Sequence, residues 1–302
     1  MASLESLINK KIKLLESVPE KLATDAQKVQ LKTWKALGPL LSEFEVDSTG
    51  NILQSDANVR KIGEVADSLN KLIAGTEYQE AVKSFIDSID EGVKLTDAIA
   101  KKFKASYEPT SAQRALLKLT QTNAIDAFVG TGLRNKVTQP FIEQLTANVA
   151  ARAPLSKMIQ SLQTIVIGDG KNDGKLLEQI KTTAITAQAV SDRSYSAVVS
   201  DTLQIEYFKY IGGEIPTSRN FCRHREGEIF HAKEIEAWGD GRNSGGIDDI
   251  VDGTWAGRID GTDSKTIFTF LGGWNCRHYL APIDASRVPD EVKLRVKSEG
   301  YI

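Results

Sequence analysis

Two matching tripeptides, Cys222-Arg223-His224 and Cys276-Arg277-His278, hold both cysteines and two of the three histidines of this 302-residue chain. The third histidine, His231, lies between them, as do three of the four tryptophans, Trp238, Trp255 and Trp274. Thiolate and imidazole are zinc ligands, and they also form the nucleophile and base of thiol hydrolases, so specific chemistry is expected in this stretch. On a strand, residues i and i+2 project to one face, so each tripeptide would offer a sulfur and an imidazole together, its arginine pointing away. Two such pairs facing each other, Cys222 with His224 and Cys276 with His278, would supply the four ligands of a structural zinc site. The wide spacing is unlike that of common zinc modules, whose paired cysteines are close in sequence. Two plainer readings stand beside zinc: small buried cysteines with histidines in ordinary hydrogen bonds, or a single disulfide.

A catalytic reading finds less support. There is no Gly-x-Ser-x-Gly, and neither cysteine sits in a protease motif. A nuclease- or toxin-type enzyme would have to draw on His224, His231 and His278 with nearby arginines. Residues 239–263 contain seven glycines and six aspartates and read as a long irregular loop. Asp240 to Gly245 lacks the alternating carboxylates of an EF-hand loop, and Val251 stands where the final glutamate would be. Asp248, Asp249 and Asp252 could still hold a cation loosely. No Walker loop and no Gly-x-Gly-x-x-Gly between a strand and a helix is present. Arg219, Arg223, Arg225, Arg242, Arg258 and Arg277 could meet phosphates, but acidic neighbours dilute them.

The elements that must position these residues fall into two kinds. Composition is that of an ordinary globular protein: 41% hydrophobic, 26% charged, net charge −2. Two cysteines make no disulfide framework, and a reducing compartment is expected. No basic-then-apolar segment opens the chain, so no signal peptide is expected, and no apolar run is long enough to span a membrane.

The first 205 residues read as successive helices. A first helix carries Leu4, Leu7, Ile8, Ile12 and Leu15, and a second is expected from Pro19, as a first-turn proline, to about Phe44. Apolar residues around Asp47-Ser-Thr-Gly-Asn51 fit a short β-hairpin or a plain loop equally. Tyr78, Val82, Phe85, Ile89 and Val93 step by three or four, which predicts a buried stripe. Ser111 is a candidate helix cap, Gly130-Thr-Gly132 and Pro140 are breaks, and residues 167–174 form a turn. A long helix is expected over 175–202. Tyr207 to Ile211 then reads as a strand, and 289–297 as a short helix. The expected fold class is α+β, predominantly α-helical: helical segments 1–108 and 109–205, then a small C-terminal α+β unit, 206–302, with a long Gly/Asp-rich loop.

Within that last unit the chain resembles a known family. The residues that carry the resemblance are Pro216-Thr217-Ser218-Arg219-Asn220-Phe221-Cys222, Gly227 to Phe230, Glu234 with Trp238, Gly272-Gly273-Trp274-Asn275-Cys276-Arg277-His278, and Pro282. In order, they resemble the C-terminal motif of the phage Mu F-like head morphogenesis family, the minor head proteins of tailed phages. Thr217, Arg219, Cys222, Gly227, Asn275, Cys276, Arg277 and His278 match its landmarks. The resemblance spans about residues 175–285. His278 stands where many members have cysteine, which leaves a mixed Cys/His set rather than four cysteines.

The resemblance implies a virion protein and not an enzyme. It would be a minor capsid protein in the head or at the portal vertex, present in the host cytoplasm during assembly and acting in head assembly, DNA packaging or ejection. Its partners would be the portal protein, other head proteins and packaged DNA, with no membrane and no required cofactor. The helical region is then expected to make most partner contacts. A nuclease- or toxin-type enzyme and a zinc-stabilised binding module unrelated to phage are the alternatives. Whatever the family, the Gly272-Gly273 pair predicts burial of Trp274 and Cys276. Arg219 and Arg277 are expected to be held by carboxylates or carbonyls.

Overall fold

A computed structural model describes residues 2–302. It is 64% helical, with a small three-stranded antiparallel sheet, so the fold is α+β and mainly α. The helices before the sheet are α1 (Leu4–Ser42), α2 (Asp56–Ile73), α3 (Thr76–Phe103), α4 (Ser111–Val129), α5 (Thr131–Leu133), α6 (Gln139–Ala150), α7 (Leu155–Ile167) and α8 (Lys175–Thr202), with a π-helical turn, Arg134–Thr138, between α5 and α6. The remainder is β1 (Tyr207–Ile211), α9 (Asn220–Arg223), β2 (Ile229–His231), α10 (Ala232–Gly239), α11 (Ile267–Phe270), β3 (Tyr279–Ile283) and α12 (Asp290–Ser298). No helix is long and apolar enough to cross a membrane.

The described chain forms two compact units: residues 2–18, 87–121 and 185–302 in one, and 19–86 and 122–184 in the other. These units are not contiguous in sequence. They cut across the expected segments 1–108, 109–205 and 206–302, because α1, α3, α4 and α8 each give residues to both.

In the second unit, Pro19 does not open a new helix. It lies inside α1 and is itself buried. Interior proline removes one backbone hydrogen bond, yet the buried stripe continues past it through Leu22, Ala26, Val29, Thr33, Leu37 and Leu41. Tyr78 donates its hydroxyl to the carbonyl of Phe128 (2.9 Å), and the Phe85 and Phe128 rings meet edge to face. Residues 44–54 form a tight turn closed by one antiparallel bridge, Val46 to Ile52, the minimum of a hairpin. The buried Asn58 side chain bonds Glu45 and Leu53 backbone groups and fixes that turn against α2.

In the first unit, α4 is capped one residue earlier than expected. Thr110 Oγ1 accepts from the Gln113 N–H (3.2 Å) and Gln113 Oε1 accepts from the Thr110 N–H (2.7 Å), a reciprocal capping box. Strand order in the sheet is β2-β1-β3. Strand alternation sends Phe208 and Tyr210 to one face and Tyr207 to the other. The Tyr207 face packs on Val288, Val292 and Val296 of the α12 region. The opposite face carries the larger core, with Phe221, Phe230, Trp238, Trp255, Ile267 and both cysteines.

Candidate metal centre

The two Cys-Arg-His tripeptides meet, but not as paired strands. Cys222 lies on the one-turn helix α9, where i and i+2 point to nearly opposite sides. Cys222 is therefore buried at 3% exposure, while the His224 side chain stays half exposed. The expected ligand role of His224 is thus corrected: its Nδ1 lies 3.0 Å from Asp249 Oδ2, away from the sulfurs. Cys276 and His278 do converge. Among the described residues, Cys222, Cys276 and His278 are the one group of three metal-ligating side chains brought together, with donor atoms within 4.8 Å of one another.

The sulfurs of Cys222 and Cys276 are 3.8 Å apart, and Cys276 Sγ is 3.9 Å from His278 Nδ1. Two sulfurs at ~2.3 Å from one tetrahedral ion lie ~3.8 Å apart. The donor types and spacing fit a soft divalent metal. Tyr210, wholly buried on β1, donates its hydroxyl to Cys222 Sγ (3.3 Å). The other nitrogen of His278, Nε2, lies 3.0 Å from Glu226 Oε2, and neither atom has a well-directed hydrogen bond. Glycines leave the room. A Cβ on Gly272 would lie 2.5 Å from Cys222 Sγ and 2.9 Å from Cys276 Sγ, and one on Gly212 would lie 2.9 Å from the His278 ring.

Electrostatics at the centre are asymmetric. The Cys276 thiol is held well below the usual thiol range by the hydrogen bond from Cys222, with the Arg193 and His278 charges acting in the same direction. The Cys222 thiol is pushed up, first because it is the donor to Cys276 and then by burial. Burial also raises the Glu226 carboxyl and the Tyr210 hydroxyl.

The backbone that presents Cys276 and His278 is contorted and braced by arginines. Leu271, Gly273 and Asn275 all have positive φ (45°, 92° and 58°). That strain persists only because surrounding contacts over-determine it. Arg193, on α8 and 3% exposed, donates to the carbonyls of Cys276 (2.5 Å) and His278 (2.8 Å) and reaches those of Thr269 and Phe270. Its neighbour Asp192 is tied to the buried Lys11 of α1 at 3.0 Å. Arg219 donates to the carbonyls of Gly272 (3.2 Å) and Trp274 (2.7 Å), the fixing role expected of it. Arg277 is engaged as well. Trp274 corrects an expectation: it is 50% exposed. Gly273 packs its backbone against Gly257, and the Trp274 N–H bonds the Gly257 carbonyl, with the indole left half exposed.

The other singled-out residues have separate partners. His231 Nδ1 accepts from the Lys233 N–H and caps α10, its ring against Tyr207. The three histidines therefore share no centre. Arg225, fully buried, lies over the Phe221 and Trp238 rings and grips Asp249 with two hydrogen bonds (2.8 and 2.9 Å). Arg258 holds the carbonyls of Gly253, Gly239 and Thr262, while Arg223 bonds Pro216 and Glu214 and Arg242 bonds Asp240. Arg225, Arg242 and Arg258 thus bond groups of the loop and Arg223 bonds the segment before α9, so these guanidiniums are engaged by local carbonyls and carboxylates. Asp248 accepts from Asn243, and Asp249 is neutralised by Arg225, so the loop carboxylates do not gather around a cation position. Among the motif residues, Gly227 takes positive φ (84°) in the turn before β2, whereas Thr217 and Asn275 are exposed.

Arg193, Tyr210 and Glu226 were not singled out in the sequence. Nothing in their spacing marks them; only the fold brings α8, β1 and the turn after α9 against the second tripeptide. No protein-family model matches the chain, and neither a curated protein nor a solved structure is similar to it.

Proposed function

We propose that this chain is a minor head protein of a tailed phage, of the Mu F-like head morphogenesis type. It would act at the portal vertex in head assembly, DNA packaging or ejection. The observation that carries the reading is the ordered set of motif residues from Thr217 to His278. Supporting it, Arg219 and Cys222 from the first end of the motif lie against Gly272, Trp274 and Cys276 from the second. A motif whose two ends brace one another is a folding module, and such a module suits a structural protein. The three histidines, each with its own partner, do not assemble the acid–base pair that a nuclease would need.

We further infer that zinc is the ion Cys222, Cys276 and His278 would hold. Two thiolates and an imidazole suit zinc, and the ion would stabilise the module by tying α9 to the segment before β3. His224 takes no part.

Mass spectrometry of purified particles of the encoding phage tests the head-protein reading. The chain is expected among the low-copy virion proteins. Its absence from intact particles would overturn the reading, whatever the metal content of the isolated protein.

A further inference from the structure

Resting on the zinc reading, the roles of the two His278 nitrogens can be separated. Nδ1 faces Cys276 Sγ at 3.9 Å, and Nε2 faces Glu226 Oε2 at 3.0 Å. A histidine that binds a metal through one nitrogen commonly gives its other N–H to a carboxylate, which fixes the tautomer and ring orientation and raises the ligand's basicity. We propose that Glu226 is the positioning residue of the metal centre, holding His278 so that Nδ1 is its zinc-binding atom.

Three observations carry this beyond proximity. Glu226 Oε2 and His278 Nε2 are both buried and lack a well-directed hydrogen bond, so each is the other's nearest unsatisfied partner. Glu226 is itself held from the other side, since its Oε1 accepts from the Gly212 N–H at 3.2 Å. The His278 ring has no freedom to turn: Tyr210 lies over it at 5.1 Å, and the Gly212 backbone is so close that a Cβ there would be 2.9 Å from the ring. Held in this way, the ring presents Nδ1 to the sulfur side and Nε2 to Glu226. Charge also balances. Zinc with two thiolates is neutral, so the ion adds no net charge to the buried sulfurs.

The test uses the full chain, reduced and reconstituted with zinc. Affinity is measured by competition with a chromogenic chelator for the unaltered chain, Glu226→Gln and His224→Ala. Glutamine keeps an oxygen for the Gly212 N–H and removes the charge. The unaltered chain is expected to bind one zinc, Glu226→Gln to bind one zinc roughly 10–100-fold more weakly, and His224→Ala to match the unaltered chain. The metal-free thermal midpoint of Glu226→Gln should stay at that of the unaltered chain; an equal fall with and without zinc would assign Glu226 to the scaffold and overturn the proposal. A measurement that needs no variant is the imidazole nitrogen spectrum of the zinc-loaded chain. His278 should show a metal-bound Nδ1 and a protonated Nε2, and the reverse assignment overturns the proposal. Zinc uptake with unchanged affinity in Glu226→Gln removes the role of Glu226 and leaves the zinc reading standing. No stoichiometric zinc removes both.

Discussion

The Arg193 guanidinium and the Cys276 carbonyl, 83 residues apart in sequence, are joined by a 2.5 Å hydrogen bond inside the core. The same side chain bonds the His278 carbonyl at 2.8 Å. A residue outside the Cys-Arg-His motif thus determines the path of its second half. The planar guanidinium reaches several carbonyls at once, as a lysine ammonium does not.

Arg193→Ala should therefore destabilise the chain by on the order of 3 kcal/mol, because it leaves buried carbonyls without donors. Arg193→Lys should recover little of that. Urea unfolding followed by tryptophan fluorescence measures both, and a loss below about 1 kcal/mol for the alanine variant would show that the brace is dispensable.

Two glycine substitutions should act with opposite sign. At Gly272 an added methyl meets both sulfurs, at 2.5 and 2.9 Å, so Gly272→Ala should cost about 1–3 kcal/mol by overpacking. At Gly63, exposed on α2, nothing lies within 4 Å of the added methyl, and Gly63→Ala should gain up to about 1 kcal/mol through helix propensity. Thermal unfolding of the two variants checks the pair.

The tryptophans should divide in the same way. Trp238 has 0% exposure and is packed on Phe221 and Phe230, whereas Trp274 is 50% exposed. Trp238→Ala is expected to cost about 3–5 kcal/mol, and Trp274→Ala less than about 1 kcal/mol. Equal losses would mean that Trp274 is buried in solution.

One turn should titrate at low pH. The Asp47 carboxyl is lowered from 3.8 to about 2, first by the Thr49 hydroxyl and then by the Asn51 N–H. A carboxyl whose folded pKa lies below its unfolded value adds stability above the unfolded value and loses it as pH falls through the folded one. The turn should therefore hold down to about pH 4 and loosen progressively toward pH 2. Amide shifts of Thr49 and Asn51 followed against pH should show a midpoint near 2; a midpoint at the ordinary aspartate value would mean that the carboxyl is not so bonded.

The helical part of the fold was legible where amphipathic spacing and breakers agreed. Helix α8 starts after Gly174 and ends at Thr202, as its flanking turn and the strand-like Tyr207–Ile211 foretold. Pro19 misled because a proline that is buried in a continuing stripe can be accommodated within a helix, which its local signal does not reveal. Thr110 took the cap from Ser111 because Gln113, three residues after Thr110, completes a reciprocal box. At the site, the residue types were legible and the geometry was not. The strand rule for i and i+2 failed because Cys222 sits on a helical turn, and it is that turn which sends His224 to solvent and Asp249. Trp274 depended on which side of the Gly273–Gly257 contact the chain emerges. Arg193, Tyr210 and Glu226 arrive from distant elements, and no local pattern encodes them.

The central proposal is that one metal ion ties Cys222, Cys276 and His278 into a single module. Native mass spectrometry of the full chain, purified without chelator under reducing conditions, tests that closure most directly. The expected mass is that of the chain plus one zinc less two protons, reverting to the unmodified mass after chelation and lost in Cys276→Ser. A reduced chain at its unmodified mass under every condition, including added zinc, would contradict it.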